Sequence, residues 1–461
     1  MARTRIVFLL FFSVVLAACS SLVTTSSEEV ETSEVSEDAG SDQGTTGETG
    51  PTAPEQETDG ETAPAAPFVV DGEKTTFVPE LDGPFNLDGG ITFDTASTEG
   101  VIIEADPDSP LQDTYQIWPT DWTRRTVEDW NEFGAGLSSS DPRDGIPPID
   151  TPVFESAALA AEWLGPREPG ALVQLDDEVR FYPLSILTRH EIVNDAFGDV
   201  PVAVTFCPLC NTAIAFDRRV NGEVLRFGVS GLLRNSDLVM WDDQTTSLWQ
   251  QITGDGVVGT YAGAELETIP TSIVSFQQFA ENFPDGLSLA AESAAGRQSY
   301  GINPYAGYSS SPQPFLFSGD VDGRLEPLSR VIGVTQDGAV AGYSFARAQA
   351  EGAINDEVDG VPIVVFHAGD TADALDQAAI SVSAAIGSAV AHSPVVNGET
   401  LTFSANGDGT FTDEQTGSTW SVVGLATDGE LAGTQLDFVE HRNEFWFAWQ
   451  AFFGPENLRE G

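Results

Sequence analysis

Lysine is almost missing from this chain. Lys74 is the only one in 461 residues, and 19 basic residues face 72 acidic ones, for a formal charge of −53. So acidic a surface repels phosphate backbones, and no nucleic-acid partner is expected. The acids are dispersed and show no D-x-D-x-D-G calcium spacing, so the charge reads as a solubility adaptation. There is no G-x-x-x-x-G-K-[ST] loop and no dinucleotide fingerprint, which argues against nucleotide cofactors. No G-x-S-x-G elbow supports serine-hydrolase chemistry. Cysteine is also scarce, with three residues, Cys19, Cys207 and Cys210.

What is present begins with Arg3 and Arg5, an apolar run from Ile6 to Leu16, and Leu16-Ala17-Ala18-Cys19. These are the parts of a secretory signal whose cleavage leaves a cysteine to be acylated. The apolar run is short for a transmembrane helix. Residues 1–18 are therefore expected to be a lipoprotein signal peptide, with Cys19 holding the chain to the extracytoplasmic face of the cell membrane. Residues 19–67 are rich in Ser, Thr, Glu, Gly and Pro, without a basic residue, and read as a disordered acidic tether. Residues 68–143 read as an N-terminal elaboration, with a helix expected over Thr126 to Phe133.

The remainder, 144–455, reads as a core domain with an internal duplication, repeat one about 171–270 and repeat two about 332–440. Ala171 to Phe206 aligns without a gap with Ile332 to His367, matching Tyr182 with Tyr343, Asn194-Asp195 with Asn355-Asp356, and Val200-Pro201 with Val361-Pro362. Agreement resumes at Asn221-Gly222-Glu223 with Asn397-Gly398-Glu399, and at Gln244-Thr245, Ser247 and Trp249 with Gln415-Thr416, Ser418 and Trp420. Each repeat predicts strands at Ala171 to Leu175 and Val179 to Tyr182, an amphipathic helix over Leu184 to Val193, and further strands. Val202 to Phe206 and Thr212 to Phe216 predict a hairpin whose turn is Cys-Pro-Leu-Cys. The expected fold is α+β and β-rich, with short helices and two repeats related by a pseudo-twofold axis. Trp249 and Trp420 are expected to be core landmarks, and Phe445 to Phe453 a helix or strand closing the core.

Several stretches are distinctive together: Asp144-Gly-Ile-Pro-Pro-Ile-Asp150, His190-Glu-Ile-Val-Asn-Asp195, Val204-Thr-Phe-Cys-Pro-Leu-Cys-Asn-Thr-Ala213, Asn303-Pro-Tyr-Ala-Gly-Tyr308 and Phe445-Trp-Phe-Ala-Trp449. In these the chain resembles the bacterial family catalogued as domain of unknown function 3179, over about Asp144 to Phe453. The resemblance implies no reaction. Asn211 departs from it, standing where a small residue such as glycine is expected.

The chemistry centres on Cys207-Pro-Leu-Cys210. A turn between two strands presents both thiolates to one metal, in the manner of a zinc knuckle, whereas a thioredoxin-like motif would open a helix. Zinc, iron and copper all suit such a site. The remaining ligands would come from His, Asp or Glu. Of the four histidines (His190, His367, His392 and His441), His190 precedes the cysteine strand, and His367 aligns with Phe206, beside Cys207. In an oxidising compartment the pair could instead form a Cys207–Cys210 disulfide in a non-enzymatic ligand-binding or structural lipoprotein, or serve redox exchange. Ser230, Arg234, Asn235, Ser236 and Asp237 form an insertion of repeat one, and Gln250 and Gln251 also lack counterparts. These residues are candidates to line a pocket for a small-molecule or protein ligand. The alternative for the insertion is a hairpin loop satisfying its own backbone.

Overall fold

The computed structural model describes residues 118–460 apart from 119, 123, 128, 130–131, 138–140, 294–299 and 301, together with the backbone of Thr75–Thr76. The expected signal, Cys19 and the tether lie outside the described residues, as does most of 68–117. The architecture is β-rich, with many small sheets and a few short helices. No helix among the described residues is long and apolar enough to cross a membrane.

The first half opens with a hairpin of Pro169–Leu175 and Glu178–Pro183, which places Ala171 opposite Tyr182. Asp176 turns it at a φ of 52°, a conformation that Asp tolerates better than bulkier residues. The helix that follows, Leu184–His190, is buried at every residue except Arg189, so it is a core helix and not the amphipathic one expected. It is also shorter than expected. Glu191 takes a left-handed conformation, and the β-branched Ile192 and Val193 pair instead with Thr205 and Val204 in the strand Ile192–Phe197. Val200–Cys207 and Thr212–Asp217 form the expected hairpin, with Cys207 paired to Thr212 across the Cys-Pro-Leu-Cys turn. Almost every residue of these two strands is buried on both faces, which explains their near-continuous apolar sequence.

The second set of strands makes matching contacts. Arg330–Gln336 and Ala339–Ser344 place Ile332 opposite Tyr343, and Ala353–Val358 pairs with Val361–Ala368. Asn194 exchanges two hydrogen bonds with the backbone of Phe227, at 2.8 and 3.0 Å, and Asn355 does the same with Phe403, both at 2.9 Å. Trp249 Nε1 donates to Asp242, and Trp420 Nε1 to Asp413, each at 2.9 Å, with both indoles fully buried. The Tyr182 hydroxyl donates to Asp195 at 2.5 Å and that of Tyr343 to Asp356 at 2.8 Å.

The halves differ where the first is extended. Its hairpin Phe227–Arg234 and Asp237–Asp242 runs well beyond the corresponding Phe403–Ala405 and Phe411–Asp413. The edge of that longer sheet is taken by Phe133–Ala135, with Phe133 opposite Arg234. Phe133 thus begins a strand. Thr126 and Val127 show no helix, Thr126 donating its N–H to the Val257 carbonyl, because the sheet edge competes successfully for this stretch. The strand His441–Phe445 pairs with Arg330–Gln336 and leads into the helix Trp446–Phe453, whose Trp446 and Trp449 are buried.

Candidate functional site

The Cys-Pro-Leu-Cys turn is held from three directions. Thr212 Oγ1 and the Phe445 N–H both donate to the Cys210 carbonyl, at 3.3 and 2.9 Å, and the Tyr308 hydroxyl donates to that of Leu209 at 2.9 Å. Asn211 follows at a φ of 58°, which accounts for its departure from the expected glycine: the position needs left-handed backbone, and Asn is the side chain that tolerates it best. Asn211→Ala is therefore expected to cost about 1 kcal/mol in chemical denaturation and Asn211→Gly almost nothing. Equal losses in both would show that the amide, and not the backbone, matters here.

Both cysteines are free thiols and buried. The Cys207 thiol donates to the Ser236 carbonyl at 3.9 Å. The two sulfurs and a carboxylate oxygen of Asp237 all lie within 4.8 Å of one another, the one grouping of potential ligands this tight among the described residues. Asp237 begins the second strand of the extended hairpin, which brings it over the knuckle. Its Oδ2 accepts from Gln250 Nε2 at 2.6 Å and the Ile252 N–H at 3.0 Å, and the two thiols, as hydrogen-bond donors, also lower its pKa.

Electrostatically the site is starved of water. Burial pushes Asp237 up to about 6, with the bonds from Gln250 and Ile252 holding it below what burial alone would give. Burial also raises both thiols, Cys210 the more strongly, and the nearby Asp237 charge adds to it. Two further buried carboxyls are influenced by Asp237, Glu191 and Glu444, each pushed up by burial to about 8. Glu191 accepts a 3.2 Å hydrogen bond from the Tyr305 hydroxyl. Glu444 is fully buried and neither of its oxygens has a partner. A low-dielectric cluster of two thiols and three carboxyls resists ionising, and a cation admitted there would draw the protons off.

The expected histidine ligands are not in this grouping. His190 places Nδ1 2.7 Å from the Pro147 carbonyl and Nε2 2.9 Å from the Tyr300 hydroxyl, and His367 places Nε2 3.0 Å from the Ile386 carbonyl. His392 and His441 are buried elsewhere, His392 Nε2 against the Val422 carbonyl and His441 between Ser272 and the Val439 carbonyl. Asp237 stands where a histidine was expected.

The other insertion residues divide. Ser230 bonds the Val239 carbonyl and the Leu232 N–H, bracing an irregularity in the hairpin. Asn235 and Ser236 turn the hairpin at φ values of 49° and 68°, and Ser236 also donates to the Phe315 carbonyl. Arg234 pairs with Glu132 at 2.7 Å and donates to Gln250 at 3.2 Å, so a hydrogen-bonded chain runs from Glu132 through Arg234 and Gln250 to Asp237. Gln251 clamps the cysteine hairpin through Thr205 and the Thr212 carbonyl. Residues 303–315 add contacts through Tyr305 on Glu191, Tyr308 on Leu209 and Phe315 on Ser236.

Glu191, Glu444, Tyr305 and Tyr308 were not anticipated as site residues. For Glu191 a signal existed, since the alignment sets it against Gly352.

Fold and site together define a β-rich protein built around a buried cysteine–carboxylate cluster. The chain belongs to the family described as protein of unknown function (DUF3179), whose model matches residues 143–457. No curated protein and no solved structure matches it.

Proposed function

We propose that this protein is a membrane-anchored extracytoplasmic lipoprotein that binds one divalent transition-metal ion at Cys207, Cys210 and Asp237. The observation that carries the metal reading is the convergence of two sulfurs and a carboxylate oxygen within 4.8 Å in a buried site. The action of the Asp237 charge on both thiols supports it. Thiolate with carboxylate suits zinc or iron, with copper(I) favoured less by the oxygen donor. Because both thiols are raised by burial, loading must expel their protons, and affinity falls with acid. The lipid anchor at Cys19 rests on the sequence alone. The matching strand registers and the paired Asn194/Asn355 and Trp249/Trp420 contacts support an origin by internal duplication, with the chemistry kept in the first half.

Comparison of the native and denatured masses of the full-length protein, purified without reductant or chelator, tests the metal centre. The expected result is one metal ion's mass in the native state only, absent from Cys207→Ser and from Asp237→Ala. A metal-free native mass, with the denatured mass two hydrogens below the reduced value, would replace the metal with a disulfide.

A further inference from the structure

Glu191 occupies a position that the fold does not ask to be a glutamate. It closes the helix Leu184–His190 at a φ of 58°, and the counterpart helix Phe345–Glu351 is closed by Gly352 at 72°. The two make the same backbone bonds. Glu191 N–H donates to the Leu187 carbonyl and Gly352 N–H to that of Ala348, both at 2.8 Å; Phe206 N–H donates to the Glu191 carbonyl at 2.7 Å and His367 N–H to that of Gly352 at 2.8 Å. Glycine serves this geometry without strain, so the glutamate is held here against backbone preference. Strain of this kind persists where a side chain has work to do.

Its carboxyl is also ill served as a structural group. The residue is 6% exposed, and the hydrogen bond drawn to the carboxyl is the long one from Tyr305. Its location is specific, because the strand residue bonded to its carbonyl is Phe206, next to Cys207. In the ungapped alignment Cys207 falls on Ala368, so the first half carries Glu and Cys at adjoining positions where the second carries Gly and Ala. The charges of Glu191 and Asp237 both act on Cys207.

We infer that Glu191 is the fourth ligand of the Cys207–Cys210–Asp237 centre: its carboxylate lies outside the 4.8 Å grouping in this structure and turns from Tyr305 to complete a two-sulfur, two-oxygen set around a divalent cation of the zinc class. This rests on the metal reading above. A tetrahedral set of this kind is closed, as in structural zinc sites.

The test is titration of the metal-free full-length protein with cobalt(II), followed by its absorption. Wild type should show a thiolate-to-cobalt charge-transfer band with the intense d–d bands of four-coordinate cobalt. Glu191→Gly should denature no earlier than wild type, since glycine is what the matching position uses. It should keep the charge-transfer band, bind on the order of 100-fold more weakly, and show shifted d–d bands as water replaces the carboxylate in the four-coordinate set. Glu191→Asp should recover part of the affinity. Wild-type affinity and spectrum in Glu191→Gly would remove Glu191 from the ligand set while leaving the metal centre standing. Transfer of the defect to Glu444→Gln would overturn the assignment in favour of that buried carboxylate. Absence of any charge-transfer band in wild type would overturn the metal centre and this inference with it.

Discussion

Asp195→Asn is expected to destabilise the protein by about 3–5 kcal/mol, the usual cost of stripping one partner from a buried ion pair. Asp195 is 0% exposed, and its Oδ2 takes both the Arg180 guanidinium at 2.7 Å and the Tyr182 hydroxyl at 2.5 Å. Arg180 lies between the rings of Phe154 and Phe197, 4.7 and 4.2 Å from their centroids, and cannot retreat into water. Its second carboxylate, Glu178 at 2.8 Å, is half in solvent and compensates poorly. The second half supplies the control. There Ala341 aligns with Arg180, and Asp356 is served by Arg459 from the chain end, with side chains 27% and 36% exposed. Asp356→Asn should cost about 1 kcal/mol or less. Urea denaturation of both variants gives the comparison, and equal losses would mean that burial does not govern the first pair.

The metal-free protein is expected to lose about 3 kcal/mol of stability between pH 6.5 and 8. Glu191 and Glu444 are raised from 4.5 to about 8 in the fold, so the folded state retains two protons that the unfolded chain has already released. Such groups contribute stability below their unfolded values and lose it as pH climbs through the folded ones. Asp237, raised to about 6, adds to the loss only below that pH. The histidines act in the opposite sense: His392 and His441 are depressed by burial to about 3 and 4, so their contribution disappears as pH falls from 6.5. The two effects oppose one another between about 4.5 and 6.5, so the net change there is smaller than the fall expected above 6.5. Glu444→Gln should remove about half of the alkaline loss. Denaturation midpoints that hold steady or rise from pH 6.5 to 8 would show that these carboxyls are ionised in the fold.

Local pattern carried the fold further than it carried the site. Val202 to Phe206 and Thr212 to Phe216 read as strands because their β-branched and aromatic residues suit a buried sheet, and they pair as expected. The helix after Pro183 was legible, but its end was not: helical spacing extends through Ile192, while the left-handed turn at Glu191 is set by how the chain must rejoin the sheet. The Cys-Pro-Leu-Cys turn was legible because its two cysteines are neighbours in sequence. Asp237 was legible only as a polar insertion residue, since hairpin length decides which of its side chains reaches the sulfurs. The histidines were read as candidate ligands because a rare, versatile residue near a cysteine invites ligation, whereas each one here has a ring nitrogen against a backbone carbonyl. Glu444 lies far along the chain in a strand that reads as ordinary, and only tertiary pairing sets it near Asp237.

Cys207, Cys210 and Asp237 are at most 2% exposed, and Tyr305 and Tyr308 add their bonds to Glu191 and Leu209. On the proposed metal reading, an ion held there would not trade places with one outside unless part of the chain came away, so exchange would be governed by an opening rate and not by relative affinities. The identity of such an ion is then settled once, by whichever metal is at hand when the polypeptide first folds. If the proposed centre is right, preparations of one sequence produced in different compartments would carry different metals, each kept long after the surroundings have changed.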